Sequence, residues 1–251
     1  MSFLNAYKLV VRNAAGTKVD EIDDFLSLSY TRRVNQPGVC EFVLWGEDGG
    51  IVNFTRKAQI EVHRSIAGAA FSPDFYAFFM SYKYRNTSGV DFYTATCPGQ
   101  MSMLGERHIL WHPAVANRSQ FSAIAGETIM KTLVNYNAGA LATTANSRVQ
   151  RNGTITGLSV QADGGAGTAI TVNVEWANLL KTLQEISPQV GGDFDLVKTG
   201  AATWEFRWYA PYLGTNRTTG SGAVLFALDR GNMENPVLTV DRNPERTVAV
   251  I

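Results

Sequence analysis

The sequence predicts a mainly β protein with a few helices, an α+β chain carrying two antiparallel β domains plus a helical, low-complexity insertion. Three observations carry this. Period-2 alternation of apolar and polar residues dominates the first 110 positions, helical spacing of apolar residues occurs twice, and a fresh set of strand patterns begins at Asp193. A chain of 251 residues, 45% of them hydrophobic, can bury one large core or two to three modest ones, which excludes wholesale disorder.

Taken in order, residues 7–12 are an apolar run closed by Asn13, Ala14, Ala15 and Gly16, a strand with its turn. Residues 25–33 alternate Leu26, Leu28 and Tyr30 against Ser27, Ser29 and Thr31, the period of a half-buried strand. Asn35-Gln36-Pro37-Gly38 then makes a turn, since proline presets φ and glycine admits the left-handed region, so residues 39–45 return antiparallel to 25–33. Residues 58–64 alternate Ile60 and Val62 against Gln59, Glu61 and His63. After a loop over 65–74, Phe78, Met80, Tyr82 and Tyr84 define one face of a further strand, and Asn86-Thr87-Ser88-Gly89 turns it into 90–97.

Ser122 is placed to cap a helix that runs to Asn137, with Glu127 in its first turn, Ile129, Leu133 and Tyr136 on one face and Gly139 as the stop. Trp176, Leu179, Leu180, Leu183 and Ile186 follow the i, i+3, i+4, i+7 rule, and Pro188 with Gly191-Gly192 ends that second helix. Between them, residues 138–171 are rich in Gly, Ala, Ser, Thr and Asn and hold too few large apolar groups for a core, so they read as a long loop or weak insertion. A hairpin of 193–197 and 204–209 around Thr199-Gly200-Ala201-Ala202 puts Trp204, Phe206 and Trp208 on one face. Three β-like runs at 224–228, 236–240 and 247–251 follow, the last stopping inside its own pattern as a truncated chain would. The expected domains are 1–110, a first β domain; 111–173, a helix-containing connector; and 174–251, a helix plus a second β domain.

The sequence offers few groupings that could carry chemistry. Lys plus Arg and Asp plus Glu number 22 each, so no net charge advertises nucleic acid, an anionic membrane or a polybasic ligand. The longest strongly apolar stretch, 75–80, is far short of the roughly 20 residues that span a bilayer, so no membrane segment is expected. The first residues lack the basic flank and apolar run of a secretory signal and read as a mature cytosolic start. Cys40 and Cys97 are read as buried free thiols. His108 and His112 have metal-ligand spacing, but Pro113 follows at once and no acid lies within the next dozen positions, so they read as a strand or loop edge. Asp20, Glu21, Asp23 and Asp24 lack the pattern of a calcium loop and read as a solvated turn. Asp193 and Asp195 share one side of a strand, as paired catalytic carboxylates might, yet more simply mark the wet side of a hairpin. Gly164-Gly165-Ala166-Gly167 is followed by no Lys-Ser/Thr and is not a phosphate loop, and no Gly-x-Ser-x-Gly elbow occurs. The expectation is no catalytic residue, no metal and no cofactor. What remains is an excess of strand aromatics, and Tyr82, Tyr84, Trp204, Trp208 and Tyr209 form the candidate interface, because aromatic enrichment marks subunit contacts.

One ordered set of residues carries a resemblance: Tyr30-Thr31-Arg32-Arg33-x-Asn35-x-Pro37-Gly38, Ile60-Glu61-Val62-x-Arg64, Leu104-x-Glu106-Arg107-x-Ile109, Glu127-Thr128-Ile129-Met130-Lys131, Asn178-Leu179-Leu180, Gly192-x-Phe194-Asp195, Trp204-Glu205-Phe206-Arg207, Arg217-Thr218, and Val224-Leu225-Phe226 leading to Gly231-Asn232-Met233. The chain resembles the tail-hub family of siphophages, distantly similar in architecture to the central hub of contractile-phage baseplates. The resemblance implies a virion protein, located at the tail tip and made in the host cytoplasm, that forms a homotrimer with two tail-tube-like β domains per subunit. Its implied partners are the distal tail protein ring, the tape measure protein and the tail spike or fibre proteins, with phage DNA passing through the lumen without specific binding. It also implies that the two β segments are alike and line one lumen. Two readings from other classes stand beside it: a carbohydrate-binding β module using Trp204, Trp208 and Tyr209 as sugar platforms, and a tail-associated cell-wall hydrolase, which would need an acid or zinc site that the sequence does not offer.

Overall fold

The computed structural model describes residues 5–112, 115, 117–145, 148–149, 153–220 and 223–224. The chain divides into two units, residues 1–213 and 214–251. In the second, the Val224 amide donates to the Arg217 carbonyl at 2.8 Å and Asn216 accepts from the Thr218 amide at 2.9 Å. The expected runs at 224–228, 236–240 and 247–251 lie outside the described residues apart from Val224.

Within the first unit, the alternation of the N-terminal part becomes eight strands: β1 (Ala6–Arg12), β2 (Lys18–Ile22), β3 (Ser27–Arg33), β4 (Gln36–Trp45), β5 (Gln59–Ser65), β6 (Ser72–Phe78), β7 (Ser81–Thr87) and β8 (Val90–Pro98). They make two antiparallel sheets, ordered β2-β1-β5-β6 and β3-β4-β8-β7. Leu9, Val11, Ile60 and Val62 from one sheet bury against Phe42, Leu44, Tyr93 and Ala95 from the other, a sandwich closed by period-2 side chains.

Three sequence expectations need correction here. The acidic turn at Asp20–Asp24 is in part a strand, β2, because Ile22 buries and Glu21 finds Lys8 and Lys18. The strand expected through Phe78, Met80, Tyr82 and Tyr84 is two strands in different sheets. Phe75, Ala77 and Phe79 point inward, the frame shifts at Met80, and aromatics on both faces hide that break in the pattern. The β3–β4 turn is Val34-Asn35, with Asn35 at φ 59, while Gln36, Pro37 and Gly38 already belong to β4. Gly38 sits at φ 66 where the register slips from Thr31↔Val39 to Arg33↔Gln36, a bulge that only a residue at ease in the left-handed region fills without strain.

The rest of the first unit is α1 (Ser102–Gly105), β9 (Ser119–Ala125), α2 (Gly126–Asn137), β10 (Thr144–Ala145), β11 (Arg148–Val149), β12 (Leu158–Val160), β13 (Ala169–Val174), α3 (Leu179–Val190), β14 (Asp193–Gly200) and β15 (Thr203–Tyr209). Ser122 lies in β9, and the first long helix is capped at Ala125, three residues later than expected. The stretch 138–171, expected as a loop, supplies β12, parallel to β15, and the start of β13, antiparallel to β9. Such pairings are non-local and leave no periodic signature in a short, small-residue segment. Asn178 caps α3, accepting from the Lys181 amide, so Trp176 falls outside the helix at φ 44. Pro188 lies within the last turn, and the stop is Gly191 in the left-handed region. The β14–β15 hairpin forms as expected, in a sheet ordered β12-β15-β14.

These elements share one core, in which Leu133 of α2, Leu179 and Leu183 of α3, and Phe194 and Phe206 of the hairpin are all buried. Residues from the expected connector and from the expected second β domain thus pack together. Of the expected second β segment, 193–251, the described strands are the antiparallel pair β14–β15, which β12 from the expected connector extends by a parallel pairing.

The two cores meet at the β3–β4 turn. The Asn35 side chain donates to Ser187 Oγ at 3.0 Å and to Asp193 Oδ1 at 2.9 Å and accepts from the Phe194 amide at 2.8 Å, while its carbonyl accepts from Gln184 at 2.9 Å. Asn35→Ala removes the three side-chain bonds and puts a β-carbon without local compensation at positive φ. The expected cost is about 2–3 kcal/mol, a fall in Tm of roughly 5–10 °C. Asn35→Gly keeps the backbone freedom and should lose less; equal losses in thermal melts would remove the conformational part of the argument.

Candidate functional site

Of the five candidate interface aromatics, the structure leaves two open to solvent. Every residue of β7 is exposed, Tyr82 at 60% and Tyr84 at 52%, because β7 is the free edge of its sheet among the described residues. Tyr82 ends a ladder of near-parallel rings that starts inside the sandwich: Phe54 to Tyr93 at 5.8 Å and 16°, then Tyr93 to Tyr82 at 4.9 Å and 16°. Tyr84 is held differently. Its hydroxyl donates to Asp91 at 2.7 Å, a bond that pushes the phenol pKa up, and the Asn86 amide donates to the other Asp91 oxygen at 2.6 Å. Gly46 makes room, since a β-carbon there would lie 2.4 Å from Asp91 Cβ and 2.9 Å from the Tyr84 oxygen. Trp45 and Phe92, 5.7 Å apart, lie at this end of the same sheet, with Arg85 5.6 Å from the Phe92 ring.

Trp204 and Trp208 are each 6% exposed and belong to the second core. Trp204 packs on Phe78 at 5.4 Å, and the Trp208 ring covers Gly192, where a β-carbon would meet it at 2.1 Å. Tyr209 is half-buried, and burial raises its pKa. The expectation that Trp204 and Trp208 serve as surface contacts or sugar platforms is corrected: alternation gave them a shared face, but that face is the inner one.

Among the described residues the largest charge cluster was missed, because Gln59, Glu61 and His63 alternate like a wet face. Gln59 and Glu61 are buried. Glu61 accepts from Arg12 at 2.8 Å, Lys198 at 2.6 Å and His63 at 3.0 Å. Lys198, from β14 in the other core, also donates to Gln59 at 2.6 Å and lies 5.3 Å from the Tyr76 ring. Burial alone would raise the Glu61 pKa, but the bonds from Lys198, His63 and Arg12 outweigh it and hold the carboxyl at about 2. No local signal could have shown this, since the partners are 137 residues apart.

The other sequence candidates resolve into structural roles. Asp193 is taken up by Asn35 and the Leu213 amide, whereas Asp195 is desolvated, with its pKa raised by burial, and accepts from the Leu196 amide. The glycine-rich stretch wraps a carboxylate of the chain itself: the Ala166 amide donates to Glu127 at 2.8 Å, and Lys131 closes the other side. His112 is buried edge-on to Trp176 at 4.9 Å, while His108 forms a bridge to Asn178. The preceding chain is pinned by Asn137, whose side-chain oxygen accepts from the Leu110 and Trp111 amides. Among the described residues no three His, Cys, Asp or Glu side chains are grouped to hold a metal, and no helix is long and apolar enough to cross a membrane. Cys40 and Cys97 face each other across β4 and β8 as buried thiols whose pKa values burial raises.

Residues 8–251 match the family model described as Siphovirus ReqiPepy6 Gp37-like protein. No curated protein matches the sequence. Among solved structures, a tail protein from Neisseria meningitidis MC58 is similar at 13% identity and TM-score 0.47, over 80% of this chain and 50% of that one. The 43 kDa tail protein of prophage MuSo2 from Shewanella oneidensis is similar at 9% identity and TM-score 0.46, over 81% and 55%. Prophage tail protein gp18 from Listeria monocytogenes EGD-e is similar at 10% identity and TM-score 0.44, over 80% and 50%. The chain spans about half the length of these three.

Proposed function

The chain belongs to the Siphovirus ReqiPepy6 Gp37-like protein family, and from that premise we propose that it is a non-enzymatic structural subunit of a phage tail, assembled as a homotrimeric hub at the distal tip. The observation that carries the reading is the family match, which takes in nearly the whole chain. In this reading the N-terminal sandwich is a tube-like domain, the hub sits between the distal tail protein ring and the spike or fibre proteins, and the tape measure protein and DNA pass through its lumen. Equal numbers of basic and acidic residues support a conduit that does not hold its cargo by counterion release. The exposed edge strand β7, with Tyr82 and Tyr84, supports a subunit contact, because unpaired backbone groups beside aromatic rings favour association.

Light scattering on the purified chain tests this. A species of three times the protomer mass is expected, and Tyr82→Ser with Tyr84→Ser should weaken the association about tenfold or more. A strictly monomeric protein at high concentration would count against the hub.

A further inference from the structure

A pocket of about 310 Å³ opens at the seam between the two cores. Its apolar wall includes Phe78 and Trp204, which pack on each other. Its polar lining has an unbalanced charge. Lys57, held at φ 66, gives its ammonium to Glu106 at 2.6 Å, so that pair is neutral. Arg107 is left over: its side chain makes no hydrogen bond or ion pair among the described residues, and its Nε is shut off from solvent without an acceptor. The hydroxyl residues Ser102, Thr154 and Thr156 also line the space.

An arginine in a pocket wall with no protein acceptor has its accessible N–H donors free for a ligand, and arginine matches the planar geometry of carboxylate and phosphate. Nearby hydroxyls add donors for the same oxygens, and an aromatic wall suits a compact apolar or polyol body. We propose that this pocket binds a small organic oxyanion, a phosphate monoester or a carboxylate, with its head group on Arg107 and its body against Trp204. The proposal is independent of the hub reading.

Titration of the full chain, followed by amide chemical shifts, uses glycerol 3-phosphate and glucuronate as probes and glycerol and glucose as uncharged controls. Saturable shifts at Arg107, Ser102 and the Trp204 indole are expected for at least one charged probe, and which one saturates assigns the head group. Arg107→Gln should weaken that binding about tenfold or more, while Arg107→Lys, which keeps the charge, should recover part of it. Ser102→Ala, at an accessible position, gives a second reading, with an expected loss of about threefold. Absence of saturation by both charged probes up to about 10 mM, equal binding of the uncharged controls, or unchanged affinity in a folded Arg107→Gln variant would each overturn the proposal.

Discussion

Replacing Gly38 by valine is expected to prevent the N-terminal sandwich from closing. The residue sits at φ 66 in the β4 bulge, and a β-carbon there would lie 2.2 Å from the Thr31 carbonyl oxygen and 3.2 Å from the Phe75 ring. Relief by backbone movement is blocked on the other side, where Gly99 approaches so closely that its own β-carbon would fall 1.7 Å from the Pro37 oxygen. Valine therefore has to open the β3–β4 ladder. That ladder sets Leu28 opposite Phe42 and Tyr30 opposite Cys40, and a one-residue slip would turn Phe42 and Leu44 out of the core. Left-handed strain on a β-branched residue costs about 1–2 kcal/mol, and the clash with a fixed carbonyl brings the total to about 4–5 kcal/mol, near the upper end for a single substitution. The measured result should be insoluble protein or a Tm lowered by roughly 10 °C or more, with Gly38→Ala intermediate. An unchanged melt and unchanged assembly would refute the bulge as the element that fixes register.

Why this position was legible while others were not follows from the range of the interactions. Pro37-Gly38 is a local signal, and it pointed to the right hairpin although the turn lies at Val34-Asn35. The β14–β15 hairpin and α3 were equally readable, since the inward residues Phe194, Leu196, Phe206 and Leu183 repeat at the period of their own element. Strands β12 and β13 were not, because residues such as Leu158 and Val174 find their partners through tertiary pairing with β15 and β9. The same limit governs the polar residues. Alternation correctly separated the two faces of β5, but both faces are covered, one by the opposite sheet and the other by Lys198. Trp204 and Trp208 failed as surface candidates for the matching reason: shared orientation was visible, and its direction was not. Arg107 gives no periodic signal at all, since what singles it out is its place, without a protein acceptor, in the wall of a pocket built by tertiary packing.

Substituting Glu61 by glutamine should cost about 3–5 kcal/mol, lowering Tm by roughly 10 °C, because it leaves Lys198 charged and buried without its counterion. The side chains of Glu61 and Lys198 are 5% and 8% exposed, so water cannot replace the lost partner. Removing both charges tests the cause. If the damage comes from the uncompensated ammonium, Glu61→Gln with Lys198→Met should recover more than half of the loss, whereas additive losses would mean that packing was broken instead. The pH dependence gives an independent signature. In the unfolded chain the Glu61 carboxyl takes up its proton near 4.5, while in the folded protein it holds out to about 2, so its contribution is fully present above about pH 4.5 and disappears as the pH falls towards 2. Burial pulls the Lys198 pKa below its ordinary 10.5, and the bond to Glu61 opposes that pull. With the carboxylate gone the opposition goes too, and the folded state then binds fewer protons than the unfolded state over a wider alkaline range. Stability of Glu61→Gln should therefore rise with pH towards 10.5 more steeply than that of the unsubstituted protein, measured by denaturant titration at a series of pH values. Parallel pH profiles would mean that Lys198 is solvated in the variant and that the network does not hold the two cores together.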